Sequence, residues 1–454
     1  MKCSCVKCVV CLALCSVLLL ASSALLEAGK PPPPPPTPIT RTVTMSVRED
    51  WDKGDDLATE VEPDFVLVNE LGVDELIMSI GWDDYEPTLG NYDFAWLHDY
   101  VSLADQYGIK LRPYICYTPP WAGDGNWNSP PNNYQDWENF CYALGSAMSI
   151  HSNILSYEIW NEWNESLWWN GTYEAYATQL LTLGSNALRA GDPDATIIMG
   201  GLVYPHYEAI DACTQGTIEQ YYEIVPFHCY REQVNNSDIE TYLDVQYTDW
   251  FVPTVNNNGA GEPIWMNECG MSTMEETEET QASYFARAVP YLFASDASLG
   301  EVDHFNAYEI KDLGAGGGVI GEDLWRYVGL CDEYRNKKLA FDTVAMWVSL
   351  LDDRTITTPV NSDLSVTATS GRFGKEYHYL IYRDEGAGAT SQIVVVYDKK
   401  NTATCEATLT IQGSTCTRWN VDGTSTDWSA NFDGTTISNI AVSPGEVAIF
   451  EVMP

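Results

Sequence analysis

Ile154-Leu-Ser-Tyr-Glu-Ile-Trp-Asn-Glu162 is a short run of apolar and β-forming residues that ends on two polar side chains. Tyr173 to Ala190 follows it, with Tyr176, Leu180, Leu183 and Ala187 at helical spacing, and Thr196 to Gly200 then repeats the first kind of run. Strand, helix and strand in this order form a βα unit, and the same alternation extends to both sides. Upstream, strands are expected at Val43 to Val47, Glu75 to Ile80 and Ile109 to Ile115; downstream, at Ile224 to Cys229, Pro263 to Asn267 and Val302 to Tyr308. Between them, Asp93 to Tyr107 places Phe94, Leu97, Val101, Ala104 and Tyr107 on one helical face. Eight such units, closing near Phe341 to Leu351, predict an α/β fold, a (β/α)8 TIM barrel over residues 41–353. An open doubly wound sheet normally uses fewer units.

After about Arg354 helical periodicity stops. Short alternating strands take its place: Leu364 to Ala368, Tyr377 to Tyr382, Gln392 to Tyr397, Ala407 to Ile411, Arg418 to Val421 and Val447 to Val452. Residues 354–454 are expected to form a C-terminal β-sandwich that packs against the barrel. At the other end, Lys2 and Lys7 precede the apolar run Val9 to Leu26 and the small residues Ala21 to Ala24, the pattern of a signal peptide over residues 1–28. An uncleaved N-terminal membrane anchor is the alternative, since the run is just long enough to span a bilayer. Pro31 to Pro36 and Pro38 make residues 29–40 a stiff Pro-rich linker. A secreted, extracellular or periplasmic location follows from these features.

The chain carries 65 acidic against 23 basic side chains, a net charge of −42, which opposes binding to nucleic acid or an anionic membrane. A neutral ligand that needs no cationic clamp fits this balance. Five of the 13 cysteines fall in the expected signal peptide, and the rest are too sparse to build a disulfide scaffold. Cys405 and Cys416, in a strand-rich region, are the one pair expected to bridge. With no C-x-x-C and no paired histidine, no metal and no cofactor are expected. Gly316, Gly318 and Gly321 fit a dinucleotide-binding glycine pattern, but they follow the eighth strand and not the first, so a loop over the active-site cleft is the better expectation.

Catalytic groups of a TIM barrel sit at the C-terminal ends of its strands. Two glutamates stand there: Glu162 after strand four and, in Pro263-Ile-Trp-Met-Asn-Glu268, Glu268 after strand seven. Three βα units apart, they face each other across the barrel mouth, and two facing carboxyls are what glycoside cleavage requires. Trp160-Asn161-Glu162 with Asn267-Glu268 resembles the clan A glycoside hydrolases, and within them family 39, closest to its exopolysaccharide-degrading branch with β-xylosidases as relatives. The likeness extends to Trp82 with Tyr85-Glu86-Pro87, Gly90-Asn-Tyr-Asp-Phe94, Pro119-Pro-Trp121, Asp192-Pro-Asp194, Phe227-His-Cys-Tyr230, Glu268-Cys-Gly270 and Tyr308-Glu-Ile-Lys-Asp312.

The resemblance implies a retaining β-glycoside hydrolase acting by double displacement on a neutral polysaccharide or oligosaccharide. In it Glu162 is the general acid/base, Glu268 the nucleophile, Asn161 a partner of the sugar 2-hydroxyl, and Tyr230 the group that orients Glu268, with His228 shaping the site. Trp82, Trp121, Trp127, Trp163, Trp168, Trp169 and Trp325 follow strands on the active-site side, where indole faces stack on sugars, and Tyr308 replaces the tryptophan common under the cleaved unit. Trp163 stands where the family commonly has proline. An exo-acting β-xylosidase-like enzyme, or a catalytically inactive glycan-binding barrel, are the alternatives. Glu158 is expected deeper in the same strand as a buried, hydrogen-bonded or ion-paired carboxylate, with Arg48 and Arg112 as candidates to neutralise such groups.

Overall fold

A computed structural model describes residues 38–204, 206–214, 216–230, 238–257, 263–294, 302–314, 323–359, 364–400 and 403–454. The expected signal peptide, most of the linker and the Gly316 to Gly321 pattern lie outside the described residues. Eight parallel strands close a barrel: β1 Ile39–Arg48, β2 Glu75–Gly81, β3 Lys110–Cys116, β4 Ser156–Ile159, β5 Thr196–Met199, β6 Val225–Tyr230, β7 Ile264–Gly270 and β8 Val302–Tyr308. Each pairs with its sequence neighbour, β8 returns to β1, and the bridges Ile198 to Ile224 and Leu202 to Phe227 join β5 to β6. Helices follow the strands, and each buries one face. In Ala95–Gln106 the buried residues are Leu97, Tyr100, Val101 and Ala104, the helical spacing that the sequence shows. Among the described residues no helix is long and apolar enough to cross a membrane.

The barrel interior is polar and layered. Near the N-terminal ends of the strands, Arg112 grips both oxygens of Glu75 (2.6 and 2.9 Å) and stacks on Trp265, which in turn stacks on His304. Burial, with Arg112 nearby, holds His304 well below the ordinary histidine pKa, so it is neutral. One layer higher, Ser46 bridges His304 and Asn306, while Glu158 accepts from the Gly201 amide (2.7 Å) and from Asn267 (2.9 Å). Glu158 is thus a hydrogen-bonded carboxylate, and burial raises its pKa to about 7.

Past the barrel, β9 Arg354–Thr358 pairs antiparallel with the first half of β1, from Ile39 to Val43. The chain then forms β10 Ser365–Ser370, β11 Glu376–Gly386, β12 Ala389–Asp398, β13 Cys405–Thr410, β14 Thr415–Trp419, β15 Ser425–Asp427, β16 Thr436–Val442 and β17 Val447–Met453. They divide into a sheet ordered β15-β14-β17-β12-β11-β9 and a three-stranded sheet β10-β13-β16. Strand β12 shows why the larger sheet is apolar on both faces. Ile393, Val395 and Tyr397 join the barrel's hydrophobic core, whereas Val394 and Val396 pack with Leu409, Ile437 and Ile440 of the smaller sheet. The expected Cys405 to Cys416 bridge is absent: both thiols are free, because β13 and β14 are strands of different sheets and form no hairpin.

Candidate active site

A cavity of about 980 Å³ opens at the C-terminal ends of the barrel strands, and all eight strands or the loops after them contribute to its wall. Backbone irregularities aim side chains into it. Tyr117, Trp160 and Glu162, just beyond β3 and β4, adopt left-handed φ values of 70°, 71° and 44°. Such conformations cost non-glycine residues on the order of 1–3 kcal/mol each and persist where surrounding contacts enforce them. The Trp160 amide bonds the Ile115 carbonyl and its indole bonds the Trp168 carbonyl (2.8 and 2.9 Å), which fixes the turn that brings Asn161 and Glu162 to the cavity.

Strand β7 solves the same problem by a bulge. Phe227 pairs with Met266 but His228 pairs with Glu268, so β7 holds one extra residue. Strict alternation would turn Glu268 away from Asn267. With the bulge, Asn267 reaches down to Glu158 while Glu268 lines the cavity.

Glu162 and Glu268 converge. Their carboxylate oxygens and a ring nitrogen of His228 all lie within 4.8 Å of one another. His228, fully buried, places Nδ1 at 2.8 Å from Glu162 and 3.3 Å from Glu268. Its Nε2 has no partner and lies against Gly201, so the single proton of the neutral ring belongs on Nδ1, where carboxylates accept it. Burial lowers the His228 pKa, which keeps the ring neutral.

Glu268 is also held from the other side. The Tyr230 hydroxyl donates to its Oε2 (2.7 Å), and Arg48 ion-pairs with its Oε1. Arg48 is itself braced by Asp50 (3.1 Å) and lies over the Tyr114 ring at 4.0 Å. The arginine pKa is raised well above its usual value: burial opposes the charge, but Asp50 and the neighbouring phenols outweigh it. These donors favour an ionised Glu268. The two glutamates and His228 also have the spacing of a metal-ligand trio, but the Arg48 guanidinium already supplies the positive charge that Glu268 requires.

The other expected site residues divide. Asn161, buried, lines the cavity with its Oδ1 unpartnered, and Tyr308 lines it beside Tyr230. Trp82 and Trp163 do not face the cavity. The Trp82 indole is fully buried and donates to Glu86 (2.7 Å); Trp163 is fully buried, stacks on Tyr176 at 3.8 Å and donates to the Gly200 carbonyl. Trp121 is tied to the Glu86 carbonyl (2.8 Å) behind the wall, and Trp169 is buried against Trp160. Trp168 and Trp325 are the tryptophans of the expected set that do line the cavity. Asn164 begins the sequon Asn164-Glu165-Ser166, but it is buried and bonded to Tyr204 and Val203, and has no room for a glycan.

Sequence reasoning missed Asp50, Trp51, Tyr114 and Tyr117, which line the cavity, and Asn267 beneath it. For Tyr114 the signal was available: it shares strand parity with Arg112 and sits one layer higher in β3.

No family model and no curated protein sequence matches the chain. Solved structures do. A family 39 glycoside hydrolase from Bacteroides cellulosilyticus superposes with a TM-score of 0.66 at 16% identity, covering 91% of this chain and 81% of that one. A monomeric β-xylosidase from Caulobacter crescentus gives 0.62 at 13% identity, covering 92% and 97%. A family 30 subfamily 8 xylanase from Clostridium acetobutylicum gives 0.61 at 14%, covering 92% and 98%. At these identities the likeness establishes the fold: the chain has the barrel architecture of these hydrolases, with the C-terminal sheets included in the matched length.

Proposed function

We propose that the protein is a retaining β-glycoside hydrolase that cleaves a neutral polysaccharide or oligosaccharide by double displacement. One observation carries this: carboxylate oxygens of Glu162, just past β4, and Glu268 in β7 lie within 4.8 Å of each other across the barrel mouth, the close spacing of a pair in which one carboxyl attacks carbon directly. Glu268, bound by Arg48 and the Tyr230 hydroxyl, is the anionic nucleophile that attacks the anomeric carbon. Glu162 gives its proton to the departing oxygen, then takes one from the water that releases the covalently held sugar. His228 holds the two acids in register. The free Oδ1 of Asn161 is placed to accept a hydrogen bond from the sugar 2-hydroxyl.

Charge supports a neutral substrate. Among the described residues nine carboxylates line the cavity against three cations, and each cation is already paired: Arg48 with Glu268 and Asp50, Lys311 with Glu49 and Asp64, Arg335 with Asp64. A uronate or sulfate ester would meet net negative potential there among the described residues. We further propose that the enzyme is exported by residues 1–28 and that residues 354–454 are a β-sandwich whose larger sheet buttresses the barrel.

Glu268→Gln should abolish hydrolysis while glycan binding persists. Hydrolysis at the wild-type rate by this variant would refute the assignment, and a wild-type protein that binds glycans without cutting them would be a binding barrel.

A further inference from the structure

We propose that Tyr334 is a sugar-stacking residue for a chain unit beyond the one held covalently, so that the protein selects chains over single glycosides; this rests on the glycoside hydrolase activity proposed above. Glu162 must sit beside the departing oxygen, which puts the leaving group toward Trp168 and Tyr204, in the loops after β4 and β5. The sugar captured by Glu268 then extends the opposite way, toward the loops after β1 and β8. There the cavity wall includes Trp51, Lys311, Glu333 and Arg335.

Tyr334 lies between the last two of these and is 75% exposed. A single exposed aromatic is ordinary on a protein surface. What sets this one apart is the rigidity of its support. Asp332 accepts from the amides of Tyr334 and Asn336 (2.9 and 2.8 Å) and from the Asn336 side chain, and its own amide bonds the Asn336 carbonyl. Arg335, at a left-handed φ of 68°, anchors the turn to the β1 side through Asp64 (2.6 Å) and the Glu60 carbonyl (2.8 Å). The preceding residue, Glu333, packs its carboxylate where a side chain on Gly314 would sit. The turn that carries this exposed ring is thus held between two residues of the cavity wall and need not be ordered when a sugar arrives, which lowers the cost of stacking.

The test compares wild type, Tyr334→Ala and Tyr334→Phe on 4-nitrophenyl β-xyloside, β-glucoside and β-mannoside, and on the matching β-1,4-linked di- to hexasaccharides. The alanine variant should keep wild-type kcat/KM on the aryl monosaccharides and lose roughly two- to tenfold on the longer chains, through KM, while phenylalanine restores it. An alanine variant with the same ratio to wild type at every length would overturn the proposal. Wild-type protein inert on the whole set would instead defeat the parent assignment of activity on these linkages, and the stacking role with it.

Discussion

At the scale of single residues, the site depends on a glycine that touches no substrate. A Cβ added at Gly201 would lie 2.0 Å from Nε2 of His228, and the Gly201 amide also serves Glu158. The histidine can stand between the two glutamates only because nothing projects from the chain just past β5 at this point. Gly201→Ala should therefore push the ring toward Glu162, costing about 1–3 kcal/mol of stability through overpacking. It should also lower kcat with little change in KM, as steady-state kinetics and thermal denaturation would record; an unchanged kcat would mean that the ring position is irrelevant to turnover. The glutamates themselves were legible from the sequence because each stands near the C-terminal end of a strand, Glu162 just past β4 and Glu268 late in β7. The tryptophans were not so legible. Position after a strand says that a side chain is near the mouth, but not whether its indole N–H is already spent, as those of Trp82 and Trp163 are.

At the scale of elements, the eight barrel strands were visible as short β-branched runs, and each lies within a few residues of its expected place. The bulge in β7 was invisible, since it is a property of pairing with β6 and β8 and leaves no mark in composition. Three C-terminal strands were missed for similar reasons. Arg354–Thr358 reads as polar and short, yet forms because β1 offers it an open edge from Ile39 to Val43. Thr436–Val442 is broken by Asn439 at φ 58°, and Ser425–Asp427 is only 3 residues long. The expected disulfide failed at this scale as well, since spacing along the chain cannot tell a hairpin from a crossing between sheets. Strand β1 thus serves two structures: its first half extends the C-terminal sheet, and its second half ends in Arg48, which ion-pairs with Glu268.

At the scale of the whole molecule, charge sets how stability responds to solution conditions. Burial raises the carboxyl pKa of Glu49 to about 8, of Glu158, Asp83 and Asp352 to about 7, and of Asp312 to about 6. In the unfolded chain these groups lose their protons near pH 4, so from there to about pH 8 the native state binds more protons and stability falls as pH rises. The depressed histidines His151, His228 and His304 act in the opposite sense near pH 6.5, but they are three against five. Self-repulsion from a net charge of −42 adds to the loss. The Tm should be higher at pH 5.5 than at pH 8, and molar sodium chloride should narrow the gap by screening; a Tm that climbs steadily from pH 5.5 to 8 would show that these carboxyls are not buried in protonated form. The same surplus of acid, read from composition alone, already pointed to an uncharged ligand, while the paired state of the cavity cations needed the fold. The most direct measurement is the anomeric configuration of the first-formed product, followed by proton NMR during hydrolysis of a β-glycoside. Two carboxylates this close predict that the β-anomer appears first and mutarotates afterwards; initial release of the α-anomer would contradict a covalent intermediate on Glu268 and, with it, the account given for the site.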